Sequence, residues 1–348
     1  MKLFSAVAHN LEAYGRMLEN IIRQDLENVY ARNIPWYKLR GSVVFITGAY
    51  GMLASYVCYM LIYLNEKENM GIHIFAGVRS EKKFRERFGE YADAEYITIC
   101  MESLDKEIHI PGRIDYIIHA ASLASPQYYD VCPVDVLRPN VIGNYYLLEL
   151  AVRKNVKGYL LFSTGDIYGF VKDRALITES DFGVVDTLDI HSCYSESKRM
   201  AETMCYAYYH QYNVPVKLLR IWHTYAPTMD IERDPRAFAS FLKNVVYGQD
   251  IVMKSDGSAR RSFCYIADAV AGYFLVLLLG KTGEAYNVCN TKEYYSVKEL
   301  AKFIISLRPE MNLKVVTRKR SAGEHYVENT AIGFGVPDDS KLRSLGWK

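Results

Sequence analysis

The sequence predicts a doubly wound α/β fold, a parallel sheet with helices on both faces, followed by a smaller mixed α/β lobe. Three observations carry that reading. Short apolar runs alternate with segments of helical periodicity. The first run, Val43-Val44-Phe45-Ile46, passes directly into a glycine turn, Thr47-Gly48-Ala49-Tyr50-Gly51-Met52. Gly48, Ser122, Thr164 and Trp222 all fall just past the ends of apolar runs, where open parallel sheets bind ligands.

Residues 1 to about 40 precede the first strand. Leu11 to Tyr30 carries apolar residues at helical spacing with charges between them, which predicts a helical extension packed on the body or on another subunit. A strand then ends at Ile46 and a helix runs from Met52 to about Leu64. Ile72–Val78 reads as a second strand, Glu81–Phe88 as a charged helix and Tyr96–Cys100 as a third strand. Ile114–His119 leads into the small-residue turn Ala120-Ala121-Ser122. A helix over Val136–Lys154, a strand over Gly158–Ser163, a helix over Tyr194–Tyr212 and a strand over Val216–Ile221 complete the alternation. After Pro227 the pattern breaks into shorter mixed segments. The expected division is therefore an extension over 1–40, a dinucleotide-binding domain over 41–225 and a mainly substrate-binding lobe over 226–348.

Composition narrows the function. Half of the 348 residues are hydrophobic, enough for a large core. Forty-two Lys and Arg against 40 Asp and Glu leave a net charge of +2, which speaks against a general nucleic-acid binder. The seven scattered cysteines form no CxxC pair and fit a reducing, cytoplasmic setting. The longest apolar runs, Tyr56–Leu64 and Tyr273–Leu279, are too short to span a membrane. The N-terminus lacks a signal-peptide layout. His119, His191, His210 and His223 show no metal-ligand spacing, so no metal is expected. Most of the 29 tyrosines are read as amphipathic packing residues.

Two motifs point to chemistry. Gly48-x-x-Gly51-x-x-Ala54 follows a strand and opens a helix. Gly48 permits the tight turn, Gly51 lets the backbone approach a pyrophosphate, and Ala54 lets helix meet sheet. Gly48, Tyr50, Gly51 and Met52 are accordingly assigned to a dinucleotide cofactor. The second strand ends in Gly77-Val78-Arg79 without the usual acidic ribose anchor. Arg79 could meet a 2′-phosphate, so NAD is expected with NADP not excluded. Tyr194 precedes Lys198 by one helical turn, so both face one way. A phenol beside an ammonium is expected to lose its proton more easily. Thr164, just past a strand, can bind the same substrate oxygen that Tyr194 deprotonates.

On these residues the chain resembles the extended short-chain dehydrogenase/reductases of the nucleotide-sugar epimerase/dehydratase family, which have a Rossmann-like sheet. The likeness runs from about Val43 to Trp347. Within that family three segments resemble the UDP-glucuronate decarboxylases (UDP-xylose synthases): His119-Ala120-Ala121-Ser122-Leu123-Ala124-Ser125-Pro126, Cys193 to Tyr208, and Asp256 to Phe263. The closing Pro337 to Lys341 and Leu345-Gly346-Trp347 follow the same pattern. The resemblance implies that Tyr194 takes the sugar C4 proton. It implies that Lys198 holds the nicotinamide ribose and that Thr164 binds the C4 oxygen. Ala120, Ala121 and Ser122 would line the cofactor; Ser125, His223 and Arg261 would meet the substrate, Arg261 at its diphosphate. It also implies a homodimer built on the Val136–Lys154 and Tyr194–Tyr212 helices, whose apolar residues Tyr145, Leu148, Met204 and Tyr208 are expected to be exposed.

The departures sharpen the expectation. In 4,6-dehydratases of this family an Asp-Glu pair follows the catalytic Thr; here Gly165 and Asp166 stand there. The acid that would expel a C6 hydroxyl is absent, and Asp166 remains to act near C5. His223 and Ala226 replace an Asn and a Gly of the family pattern. The acidic residue after the third strand has only Glu102 as counterpart. A UDP-glucuronate decarboxylase-like enzyme working by transient C4 oxidation is therefore expected. A nucleotide-sugar 4,6-dehydratase or epimerase is the alternative, and a non-catalytic dinucleotide sensor the second. The sensor has no need of Thr164, Tyr194 and Lys198 together.

Overall fold

A computed structural model describes residues 2–101, 103–171, 175–318 and 335–348, with backbone alone for 2–14. Glu102 lies outside the described residues. In chain order, the first part holds α1 (Lys2–Tyr30), β1 (Val43–Thr47), α2 (Met52–Glu68), β2 (His73–Gly77), α3 (Glu81–Phe88), β3 (Ile97–Cys100), β4 (Tyr116–His119), α4 (Gln127–Val131), α5 (Pro133–Arg138), α6 (Asn144–Lys154) and β5 (Gly158–Thr164). The second part holds β6 (Leu176–Ile177), α7 (Ser192–Tyr212), β7 (Val216–Ile221), β8 (His223–Tyr225), α8 (Ala237–Val246), β9 (Ile251–Met253), β10 (Arg260–Tyr265), α9 (Ile266–Leu279), β11 (Glu284–Val288), β12 (Tyr294–Ser296), α10 (Val297–Ser306), β13 (Val315–Thr317), β14 (Val336–Pro337) and α11 (Ser340–Arg343).

Seven strands form one parallel sheet in the order β11-β7-β5-β4-β1-β2-β3. The order reverses direction between β1 and β4, and the crevice beyond that pair is where such sheets take a ligand. The strand sequences are apolar on both faces because both faces are covered. On one face, Phe162 and Leu219 pack with Tyr56, Met60, Phe274 and Val276 of α2 and α9. On the other, Ile117, Tyr159 and Leu161 pack with Leu147, Leu148, Ala201 and Cys205 of α6 and α7. Strand β11 joins the large sheet at its edge beside β7, although it lies well past residue 226. The shorter elements α8, α10, β9 and β13 enclose a separate core around Phe241, Ile251, Phe263 and Leu300.

The extension packs on the body. Ile22, Leu26 and Val29 of α1 join the core of α2 and α9. Asp25 is buried between two phenols, accepting from Tyr56 at 2.9 Å and Tyr265 at 2.8 Å. Arg32 pairs with Asp268, and Trp36 meets Phe274 edge-on at 5.0 Å.

Two expectations are corrected. The helix expected over Val136–Lys154 is three pieces, α5, a π-helical segment Pro139–Gly143 and α6. Pro139 has no N–H and its ring obstructs the preceding turn, so regular α-helix hydrogen bonding cannot continue through it. Of the residues expected to be exposed on these helices, only Tyr145 is, at 44 %. Leu148 is fully buried, and Met204 and Tyr208 are half-buried against the same core.

Candidate active site

The glycine turn leaves β1 with Gly48 at φ +69°, a left-handed conformation that costs glycine little. A Cβ at Gly48 would lie 2.9 Å from Ala121 Cα and 3.1 Å from Ala121 N, so the turn lies directly against the end of β4. Its position is fixed from both sides. The N–H groups of Gly48 and Ala49 donate to Gly77 O at 2.8 and 3.3 Å. Thr47 Oγ1 accepts from Ala120 N and Ala121 N, each at 3.2 Å, and lies 2.9 Å from His119 Nδ1. The other ring nitrogen of His119 lies 3.0 Å from Pro139 O. A carbonyl only accepts, so Nε2 carries the proton and Thr47 donates to Nδ1. Burial first, then Lys198, lowers the His119 pKa to about 3, which keeps the ring neutral. Gly51 caps α2 without a side-chain bond, flanked by Tyr50 and Met52.

Ser122 and Ser125 continue this wall. Their hydroxyl oxygens are buried and have no hydrogen-bond partner among the described residues. Buried orphan hydroxyls are costly unless a ligand completes them. With the glycine cradle and the open end of α2, Ser122 fits a dinucleotide lying across β1 and β4, and Ser125 is left for the substrate beside it. Arg79 sits exposed just past β2.

The second half of the site is built on β5 and α7. Thr164 ends β5 and caps a short 3-10 turn, Gly165–Tyr168, accepting Asp166 N at 3.2 Å. The Thr164 hydroxyl also favours the ionised form of the Tyr194 phenol. Tyr194 and Lys198 share one face of α7, 7 % and 1 % exposed. The Tyr194 ring stacks on Tyr129 at 5.5 Å and 15°.

The electrostatics correct one expectation. The Tyr194 phenol is not made more acidic by Lys198. Burial raises its pKa above the ordinary phenol range, and the Asp166 carboxylate raises it further; Thr164 and Arg236 oppose them. Lys198 Nζ instead donates to Phe162 O at 2.7 Å. Burial lowers the lysine to about 7, against the pull of Glu202 one turn along. Glu202 is held in turn by Ser163 Oγ at 2.6 Å and by Arg220 Nη2 at 2.8 Å.

Asp166 and His223 keep solvent-exposed surface, although the protein around them disfavours their charged forms. Enclosure raises the Asp166 carboxyl, opposed by Arg261 and Arg236. Enclosure lowers His223 to about 3, and the same two arginines lower it further. The half-buried Arg261 donates to Arg260 O at 2.7 Å. Thr164, Asp166, Tyr194, His223 and Arg261 are therefore linked in one electrostatic group.

Arg236, Tyr129 and Trp222 adjoin the same group, although sequence reasoning gave them no role in its chemistry. Arg236 immediately precedes α8, with Nε held by Asp234 Oδ1 at 2.9 Å. It bears on Tyr194, Asp166 and His223 together. No motif in Asp234-Pro235-Arg236 signals this. Trp222 closes the space behind Gly165: a Cβ there would come within 2.7 Å of the indole ring. The indole is fixed by Nε1 donating to Asn287 Oδ1 at 3.2 Å and by stacking on Tyr168. Asn140, on the π segment, donates to Ser197 Oγ at 2.9 Å and leaves a buried Oδ1 unpartnered among the described residues. Among those residues no three His, Cys, Asp or Glu side chains gather as a metal site needs, and no helix is long and apolar enough to cross a membrane.

The chain is similar to known proteins in sequence and in fold. UDP-glucuronic acid decarboxylase 6 of Arabidopsis thaliana is 30 % identical over 313 residues, covering 88 % of this chain and 83 % of that protein. UDP-glucuronic acid decarboxylase 1 of Xenopus tropicalis is 30 % identical over 290 residues, covering 82 % of this chain but 65 % of the longer relative. Among solved structures, UDP-glucose 4-epimerase of Thermotoga maritima has a TM-score of 0.71 at 21 % identity, covering 88 % of this chain and 93 % of that one. dTDP-glucose 4,6-dehydratase of Bacillus anthracis, crystallised with NAD, has a TM-score of 0.67 at 19 % identity over 88 % and 90 %. The model of the NAD-dependent epimerase/dehydratase family matches residues 44–289, which span the glycine turn, Thr164, the Tyr194–Lys198 turn and Arg261. This chain belongs to the NAD-dependent epimerase/dehydratase family.

Proposed function

We propose that this enzyme decarboxylates a UDP-linked uronic acid, UDP-glucuronate in the first instance, through a transient 4-keto sugar. Gly165 carries the reading. With Trp222 filling the space beyond it, no side chain at this position can serve as an acid beside Thr164. Elimination of a C6 hydroxyl needs such an acid; loss of carbon dioxide from a β-keto acid does not. The relatives named UDP-glucuronic acid decarboxylase support the same substrate.

The glycine turn with Ala120, Ala121 and Ser122 would hold NAD, which when bound would supply the acceptor and later donor of the C4 hydride. Tyr194 takes the C4 hydroxyl proton and later returns it. Thr164 keeps the C4 oxygen and the phenol in one hydrogen-bonded unit. The resulting carbonyl lets the C5–C6 bond break, its electron pair passing into the C4–C5 enolate as carbon dioxide leaves. Asp166, raised by its surroundings, stands ready for the proton at C5. Arg261 and Arg236 supply positive charge for the diphosphate and carboxylate. Ser125 and His223 complete the substrate wall, and the later chain, 226–348, contributes mainly to that side.

Incubation with UDP-glucuronate should release carbon dioxide and yield a pentose nucleotide. If UDP-glucuronate is untouched while a neutral hexose nucleotide becomes a 4-keto-6-deoxy sugar or its epimer, the decarboxylase reading is wrong.

The enzyme works as a cytoplasmic homodimer on this reading. Seven unbonded cysteines suit a reducing compartment. The outer faces of α6 and α7 and the π segment leave Ile142, Tyr145, Val152, Met200, Tyr206 and Tyr212 exposed, an apolar surface that a second copy would cover. Light scattering at micromolar protein should give twice the chain mass of 39.9 kDa; a strictly monomeric mass would remove the dimer.

A further inference from the structure

We infer that Cys132 and Cys193 form a dithiol that a two-electron oxidant such as hydrogen peroxide closes to a disulfide, and that the closed bond holds Tyr194 away from its working position. Neither cysteine has a part in the reaction proposed above. All seven cysteines are unbonded in the structure, and Cys58, Cys205, Cys264 and Cys289 are buried away from any solute. Cys100 is half-exposed on β3, at the edge of the large sheet. Cys132 and Cys193 are half-exposed where α4 and α5 pass the first turn of α7.

Cys132 ends α4 and opens α5. Its N–H donates to Tyr128 O at 2.8 Å, and its carbonyl accepts from Val136 N at 3.3 Å. It thus stands about one turn from Tyr129 and one from Val136. Both of these are buried with Tyr194, and Cys193 packs on the same cluster. The two segments are held side by side. The Tyr129 ring meets His191 edge-on at 5.8 Å and stacks on Tyr194, and Asp130 Oδ1 lies 3.1 Å from His191 Nε2. Burial raises the Cys193 thiol, the Tyr194 backbone opposes this, and Asp130, Cys132 and Asp189 raise it further. The two sulfurs are therefore within electrostatic reach of each other, and the raised thiol suits the second step of the oxidation.

In the first step Cys132, as thiolate, attacks one peroxide oxygen. The O–O bond breaks, the other oxygen leaves as water once protonated, and a sulfenic acid remains. The Cys193 sulfur then attacks that sulfur, and the sulfenic hydroxyl leaves with the Cys193 proton as a second water. Two thiols are oxidised to one disulfide and one peroxide is reduced to two waters. The bond ties the α4–α5 junction to the residue before Tyr194, beside the stack of Tyr129 on Tyr194. A displacement of about 1 Å in a reacting group is enough to cost on the order of a hundredfold in rate. Transient disulfides inside cells serve as redox sensors in this way.

The whole protein, treated with hydrogen peroxide, alkylated and digested, should yield a peptide pair joined through Cys132 and Cys193. Turnover of whichever nucleotide sugar the enzyme accepts should fall at least about tenfold and return with dithiothreitol. Cys132→Ser should turn over normally, form no such link and keep its activity under the same treatment. Peptide mass reads the link whether or not UDP-glucuronate is the substrate, so failure of that assignment is seen separately. Absence of the joined pair overturns the inference. So does a link that leaves turnover unchanged, or a Cys132→Ser variant that loses activity to peroxide as fast as the unmodified enzyme.

Discussion

Tyr194→Phe should lower turnover by roughly a hundredfold or more, the scale of losing general acid–base help. The variant keeps the ring that stacks on Tyr129 at 5.5 Å, so the packing of α7 is preserved. It loses the only atom through which this side chain can hold a proton, the atom that Thr164 influences. Burial and Asp166 make the phenol harder to ionise in the free protein, so its ionised form is scarce at neutral pH. Positive charge arriving with ligand, or supplied by Arg236, shifts that balance toward the base. Activity of the unmodified enzyme should therefore rise with pH above neutrality, and the residual activity of the Phe variant should not follow it. Dinucleotide titration serves as the control for folding. Near-normal turnover by a variant that still binds cofactor would remove Tyr194 from the mechanism.

Gly48→Ala is the second large effect expected, and it acts on binding. At φ +69° an alanine costs roughly 1–2 kcal/mol in backbone strain alone. The added methyl would also lie 2.9 Å from Ala121 Cα, which is backbone and cannot rotate aside. The turn must then separate from β4, opening the wall that Ser122 continues. Since about 1.4 kcal/mol is a factor of ten in binding, dinucleotide affinity should fall at least about tenfold. The melting temperature should drop as well. Calorimetric titration together with a thermal melt reads both. Unchanged affinity would mean that the turn does not cradle the ligand.

The comparison of sequence with fold separates two kinds of information. Strand and helix periods, the glycine turn and the Tyr194–Lys198 spacing are local, because side-chain direction repeats every two residues in a strand and every 3.6 in a helix. They were sufficient to predict the parallel sheet, the ends of its strands and the clustering of Thr164 with Tyr194. The apolar period runs on through the break at Pro139, which only the proline itself signals, since five residues of π-helix keep nearly the same rhythm. These local patterns could not distinguish buried Leu148 from exposed Tyr145 on one helix, because that depends on what the sheet places against each side.

Charge and proton affinity lay furthest from the sequence. One helical turn between a tyrosine and a lysine suggests an acidified phenol, but the ammonium is directed to the Phe162 carbonyl and burial sets the tyrosine's pKa. Arg236 reaches Tyr194 from a segment without a motif, and Trp222 closes Gly165 from the end of another strand. The sequence by itself determined the order of elements and the residues able to do redox chemistry on a sugar. Tertiary structure alone decided which charges face one another, which hydroxyls are left for a ligand and where an acid has no room, because desolvation and Coulomb energies sum over neighbours that are distant along the chain.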